Sequence, residues 1–230
     1  MDLAAQKNEL IRRYKKRGLM RVLHSEAVER AFRQLRRELF MPRGLESRAY
    51  TNRAYFIAEG STISAPYMHI ILAEALNLQK GQKVLEVGTG SGYQAALCAL
   101  IVAPLEPVGA GHVFTIETLP QIVQFAKENI EKADLQKRVT VICSDGTLGL
   151  PEEAPFDRIL VTAYAKEVPP ALIEQLKVGG QLVMPVGRFR RFQSLIRLTK
   201  VTKKKIKKKT LRRYSVYFVR LIGAEGWSEK

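Results

Sequence analysis

Val84-Leu85-Glu86-Val87-Gly88-Thr89-Gly90-Ser91-Gly92-Tyr93-Gln94-Ala95-Ala96 is the stretch that decides how this chain folds. A short apolar run meets three alternating glycines, then an apolar segment that reaches Ala103. That order is strand, tight turn, helix. The alternation continues outward. Val113 to Ile116 reads as the next strand, ending at Glu117, and Pro120 to Lys132 as its helix. Val139 to Cys143 is the third strand and Arg158 to Thr162 the fourth. The fifth, Gln181 to Val186, follows a short helix from Pro170 to Leu176 and a Gly179-Gly180 turn. Strands that are near-continuous apolar runs, alternating with helices, indicate a parallel sheet covered on both faces. The expected class is α/β, a doubly wound, mostly parallel, Rossmann-like sheet. Two last runs, Leu195 to Val201 and Leu211 to Ile222, frame a lysine-rich turn and predict a C-terminal antiparallel hairpin.

Upstream, Leu10, Ile11 and Tyr14, then Val28, Phe32, Leu35 and Leu39, recur at helical spacing, with Ser25 as a helix cap. Met68, Ile71, Leu72, Ala75, Leu76 and Leu78 form a further helical stripe. Residues 1–63 are therefore expected to form a helical extension with a loop on the ligand side. Residues 64–230 would form the main domain, the whole packed as one unit.

Ligands on such sheets bind at the carboxyl ends of the strands. The turn spacing is Gly-x-Gly-x-Gly, and Tyr93 stands where the dinucleotide fingerprint needs its third glycine. No phosphate-loop Gly-Lys-Ser/Thr follows. Instead, carboxylates mark three successive strands: Glu86 just before the turn, Glu117, and Asp145 beside Gly146. Glu117 can accept two hydrogen bonds from a ribose diol, and Asp145 can receive an adenine amino group. Three acids in register suit ribose, adenine and a cationic centre, and suit a pyrophosphate poorly. S-adenosylmethionine, leaving as S-adenosylhomocysteine, fits that description. Taken one by one, the same acids also read as helix caps or surface residues.

Composition narrows the rest. The chain has 230 residues, 46% hydrophobic and 26% charged, which excludes wholesale disorder. Its longest apolar run, Ala95 to Leu105, is 11 residues and includes Pro104, against the about 20 that a membrane helix needs. Met1-Asp2 opens onto no apolar segment, which argues for a cytoplasmic protein. Cys98 and Cys143 both lie in apolar surroundings and are expected to be buried free thiols. His24, His69 and His112 are scattered, and no metal spacing is present. The net charge of +16 is uneven: +8 over residues 1–53, −5 over 54–187, +13 over 188–213 and zero beyond. A polyanion in the central site is thereby disfavoured, whereas a peripheral basic surface is allowed. The Lys203 to Lys209 run fits either a solvated turn or a weak polyanion contact.

Further residues resemble a known family. Ser61-Thr62-Ile63-Ser64-Ala65-Pro66-Tyr67-Met68, the glycine turn, Asp145-Gly146-Thr147, Ala154-Pro155-Phe156-Asp157 and Ile159 to Ala163 are similar to the protein-L-isoaspartate (D-aspartate) O-methyltransferases. So are Leu172 to Val183 with Pro185-Val186-Gly187, and Leu221 to Trp227. The likeness covers roughly residues 35 to 227. The glycine turn is shared among methyltransferases, while the Thr-Ile-Ser-Ala-Pro segment is far more specific. The resemblance implies methyl transfer from S-adenosylmethionine to the free α-carboxylate of isoaspartyl (and D-aspartyl) residues in damaged proteins and peptides. The ester then collapses to a succinimide, and hydrolysis returns part of it to aspartate. It implies cofactor binding by Glu86, Gly88, Thr89, Gly90, Ser91, Gly92, Glu117, Thr118, Asp145 and Gly146. It places the substrate on Thr62, Ile63 and Ser64, with Ser64 as the catalytic residue, no metal, and a monomeric enzyme.

A carboxylate is already ionised at neutral pH, so the chemistry asks for placement and not for a strong base. A hydroxyl on Ser64 can supply that placement. Ser64-Ala65-Pro66 also reads as a helix start with Ser64 as cap, and both roles are compatible. Thr62 fits the same pocket or simple loop packing. The chain departs from the family at Tyr164-Ala165-Lys166 after the fourth strand, at Ser144, at Thr118, at Arg220, and in a longer loop from Pro104 to His112. These departures bear on substrate preference and rate. Two other readings compete: a nucleic-acid methyltransferase, which the +13 segment favours, and a non-catalytic cofactor- or RNA-binding scaffold. Against the first, Thr162-Ala163-Tyr164-Ala165 lacks the Pro-Pro-aromatic motif of amino methylation, and neither cysteine follows a proline.

Overall fold

A computed structural model describes residues 2–228 apart from 17, 19, 20 and 106–109, so the middle of the Pro104 to His112 loop lies outside the described residues. The chain opens with helices α1 (Leu3–Lys15) and α2 (Glu26–Gln34). Ser25 caps α2, its hydroxyl accepting from the Val28 amide at 3.4 Å. A short antiparallel ribbon, β1 (Tyr55–Phe56) and β2 (Thr62–Ile63), leads to α3 (Pro66–Leu76). There follow β3 (Lys83–Val87), α4 (Tyr93–Val102), β4 (His112–Glu117), α5 (Pro120–Lys132), β5 (Val139–Cys143) and β6 (Phe156–Val161). The last elements are α6 (Pro170–Glu174), β7 (Leu176–Phe189), β8 (Phe192–Lys200) and β9 (Ile206–Val216).

The main sheet has seven strands in the order β5-β4-β3-β6-β7-β8-β9. The first five run parallel, and β8 and β9 add to β7 antiparallel. From β3 the chain steps outward to β4 and β5, then crosses to the other side of β3 for β6. That reversal opens a crevice at the carboxyl ends of β3 and β6, the place where such sheets take ligands. Period-two alternation sends Val84 to one apolar cluster and Leu85 and Val87 to another, so the sheet is packed on both faces. The first cluster joins α3 and α4 to Tyr14, Phe32 and Phe40 of the N-terminal segment. Every residue of α4 is buried, which explains why its sequence is apolar all round.

Four local expectations are corrected. The lysine run is only half a turn: Lys203 to Lys205 lie in it, whereas Lys207, Lys208 and Lys209 belong to β9 and pair with Thr199, Leu198 and Arg197 respectively. β9 is an exposed edge of the sheet. Lysines there keep its unpaired backbone groups in water, and their polarity hid the strand. At its other end β9 stops at Val216, short of the expected Ile222. β7 begins already at Leu176 and bulges before Gln181, with Gly179 at φ +84°, so the Gly179-Gly180 turn lies inside a strand. Cys98 is buried, but Cys143, at the open end of the outermost parallel strand, is exposed.

Candidate active site

The crevice holds a cavity of about 710 Å³. The glycine turn forms its floor. Gly88 has φ +95°, and a Cβ there would lie 2.4 Å from the Thr162 hydroxyl oxygen. That hydroxyl donates to the Gly88 carbonyl at 2.6 Å, locking β6 against the turn. Gly146 is equally constrained, since a Cβ would lie 2.4 Å from Val87 Cγ1. Both positions bring backbone close to whatever fills the cavity.

Glu86 and Glu117 reach the cavity from adjacent strands. Glu86 is buried, and its Oε2 accepts from Thr115 Oγ1 at 2.6 Å. Thr115 is its register partner on β4, and the Thr89 hydroxyl joins the same chain at 2.8 Å. The other oxygen, Oε1, is buried without a partner. Burial raises the carboxyl to about 8, against the lowering effect of the Thr115 bond and with a further push from Glu117. A cationic ligand group would satisfy the orphan oxygen and favour the anion. Glu117 Oε2 accepts from the Gly90 amide at 3.2 Å, and Oε1 from the Thr118 amide at 2.9 Å. Glu117 lines the cavity, and its two oxygens retain acceptor capacity of the kind a ribose diol requires. These donors and acceptors fit S-adenosylmethionine.

Asp145 is placed differently from its neighbours. It borders a second cavity of about 500 Å³, which shares Thr118 and Ile222 with the first. Its Oδ1 accepts from the Thr147 amide and hydroxyl at 2.8 and 2.7 Å, and its Oδ2 from the Ala224 amide at 2.7 Å. Burial alone would raise this carboxyl, but those bonds outweigh it and hold it below the ordinary value. Asp145 therefore ties the C-terminal segment to the end of β5. Gly92 also stands off the main cavity, packed against Ile130 and Ala126 of α5.

On the opposite wall lie Thr62, Ile63 and Ser64. Ser64 is not the helix cap. Pro66 takes the first helical position, so Ala65 is the cap residue and Ser64 falls one residue outside. Ser64 lines the cavity, and no hydrogen bond among the described residues engages its hydroxyl. The Ser64 carbonyl accepts from Arg37 Nη2 at 2.6 Å. His69 also lines this wall, with Nδ1 2.8 Å from Gln94 Oε1. Burial, assisted by Arg37, lowers it to about 3, so it is a neutral imidazole at physiological pH. Phe218, Val219, Arg220 and Leu221 roof the cavity, held to β6 by bonds between Tyr164 and Val219 and Leu221.

Sequence reasoning missed Thr115, Arg37, His69 and this roof; it pointed to Thr162 as a strand end facing the ligand but gave it no role. Thr115 and Thr162 were within reach, because parallel register sets one beside Glu86 and the other at the end of the strand flanking the turn. Arg37 had no local signal.

A seven-stranded sheet of this order, with a carboxylate-flanked glycine turn at its switch point, defines an S-adenosylmethionine-dependent methyltransferase. The family model described as Protein-L-isoaspartate(D-aspartate) O-methyltransferase matches residues 5–226. A protein-L-isoaspartate O-methyltransferase of Hyperthermus butylicus is 44% identical over 225 residues, 97% of this chain and 91% of the relative. That of Pyrococcus abyssi is 41% identical over the full length of both. Among solved structures, the enzyme of Plasmodium falciparum in complex with S-adenosyl-L-homocysteine superposes with a TM-score of 0.79 at 27% identity, over 96% of this chain and 99% of that one. The chain belongs to the protein-L-isoaspartate (D-aspartate) O-methyltransferase family.

Proposed function

We propose that the cavity joins two half-sites, a cofactor side on β3 and β4 and a carboxylate side on Ser64, and that methyl transfer takes place between them. The observation that carries this reading is that Ser64, Glu86 and Glu117 line one continuous cavity although they come from distant parts of the sequence. S-adenosylmethionine supplies an electrophilic methyl group on a sulfonium that carries its own leaving group. Glu117 holds the ribose diol, Glu86 faces the cationic end, and the backbone of Gly88, Thr89, Gly90 and Ser91 packs closely against the ligand. Gly146 and Thr118 border the adenine, with Asp145 fixing the segment around it. On the far wall the Ser64 hydroxyl donates to the substrate α-carboxylate and turns one oxygen toward the methyl group. Thr62 and Ile63 hold the peptide beside it. No residue need remove a proton, because the nucleophile is already an anion. Near-attack placement at about 3–3.5 Å is the whole requirement.

Lys203 to Lys209 line no part of this cavity. Their density supports weak, salt-sensitive binding of polyanions. Lys207, Lys208 and Lys209, set along the exposed edge strand, would repel a second copy pairing there and so favour a monomer. Free Cys98 and Cys143 suit a reducing, cytoplasmic setting. Among the described residues no helix is long and apolar enough to cross a membrane. The test is methyl transfer from labelled cofactor to an isoaspartyl peptide beside its normal aspartyl twin. Label on the isoaspartyl peptide alone is expected; equal labelling of both would refute the carboxylate assignment.

A further inference from the structure

Arg37 is the largest fully buried side chain among the described residues, and it has no carboxylate partner there. Its Nε donates to the Ala49 carbonyl at 2.8 Å and its Nη2 to the Ser64 carbonyl at 2.6 Å. The guanidinium lies 4.8 Å from the ring centre of Tyr93, the residue that follows the glycine turn. Nη1 is buried with no hydrogen-bond partner among the described residues. The adjacent acid, Glu38, is already engaged by Arg36 and by the Tyr50 hydroxyl. His69 next to it is neutral. Burial lowers Arg37 only to about 10, so it stays charged at neutral pH. A buried cation without a counter-ion is costly, and the protein retains one directly behind the residue that faces the substrate.

Resting on the assignment of Ser64 to the substrate carboxylate, we propose that Arg37 is a positioning residue whose unpaired charge selects an anionic over a neutral substrate at Ser64. It fixes the Ser64 backbone through the carbonyl, which leaves the hydroxyl free for the cavity. Its field then adds to the attraction of a carboxylate placed there. The consequence for the reaction is specific. Methyl transfer neutralises the carboxylate, so this attraction is stronger in the bound substrate than in the transition state, and vanishes in the ester product. Arg37 therefore acts on substrate affinity and on release of the ester more than on the chemical step.

The experiment compares two peptides on protein saturated with S-adenosylhomocysteine, by calorimetry. One carries the isoaspartyl α-carboxylate, the other the same residue capped as the α-amide. The wild type should bind the acid about tenfold or more tighter than the amide. Arg37→Lys should keep most of that ratio. Arg37→Gln should bring it to within about threefold, with KM raised and kcat unchanged or higher. S-adenosylhomocysteine affinity in both variants should stay within a few-fold of wild type. A merely structural role would weaken acid and amide alike, and that result, or an unchanged ratio in Arg37→Gln, overturns the proposal. Should Arg37→Gln fail to fold, the wild type alone decides, because equal affinity for acid and amide also overturns it. Failure of the wild type to methylate the isoaspartyl peptide would instead strike at the proposed function, a separate readout from the binding ratio.

Discussion

The two walls of the cavity are built on opposite principles. The cofactor wall comes from strand ends that are neighbours in one sheet: Glu86 from β3, Thr115 and Glu117 from β4, Thr162 after β6. Its groups are aligned by the register of the ladder, and each is braced by the adjacent strand. The substrate wall comes from a loop outside the sheet. Ser64 is held by one bond from a buried arginine 27 residues upstream, and the roof over it by bonds to Tyr164 from the C-terminal segment. In the proposed reading, a ligand shared by many enzymes is met by the rigid sheet, and the peptide by segments wrapped around it.

That contrast predicts separable failures. The largest belongs to the cofactor wall. Glu117→Ala removes two charge-assisted hydrogen bonds to the ribose, each worth about 1.5–3 kcal/mol. Calorimetry should show affinity for S-adenosylhomocysteine falling at least about tenfold in a folded protein; an unchanged value would show that Glu117 does not hold the ribose. Gly146→Ala should come next. A Cβ 2.4 Å from Val87 Cγ1 must shift that side chain or the Gly146 backbone at the cavity floor, with a loss on the order of 1–3 kcal/mol in stability. A thermal melt matching wild type would mean that the strand ends are less tightly locked than described.

Glu86→Gln tests the electrostatics of the same wall. The folded carboxyl titrates at about 8 against an ordinary value of 4.5. Between those values the folded state holds a proton that the unfolded state has lost, so stability falls as pH rises through this window. The glutamine variant should therefore melt higher than wild type near pH 8–9, by on the order of 2 kcal/mol, with the gap narrowing toward pH 5. Its cofactor affinity should be weaker and flat with pH, whereas that of wild type should rise toward pH 8. A pH-independent gap would contradict the buried, orphaned carboxyl. The smallest effect belongs to the periphery. Replacing the lysines between 203 and 209 with serine should leave peptide methylation nearly unchanged while weakening salt-sensitive retention on a polyanion.

How legible each region is in the sequence follows from the same division. β3, β4, α5 and β5 announce themselves because buried parallel strands are continuous apolar runs and their helices start at prolines or glycines. The carboxylates at the strand ends can then be placed by topology alone. Ser64 was singled out through its motif, but its local reading as a cap was misleading, because Pro66 moves the cap to Ala65. Arg37 sits in an Arg-rich segment and looks like any surface cation; only tertiary packing buries it. β9 was cut short because an edge strand rich in lysine has no apolar alternation to reveal it. Asp145 follows the end of β5 as its sequence position suggests, yet its bond to the Ala224 amide depends on a segment nearly eighty residues away.

The sharpest measurement is the turnover of Ser64→Ala on an isoaspartyl peptide at saturating S-adenosylmethionine, with S-adenosylhomocysteine affinity and melting temperature taken on the same sample. With Ser64 outside the helix cap, no cap bond is lost, so the melt should stay close to wild type. Cofactor affinity should remain within a few-fold, while methyl transfer falls by about tenfold or more. Wild-type turnover in a folded, cofactor-binding Ser64→Ala protein would contradict the assignment of the carboxylate to this wall.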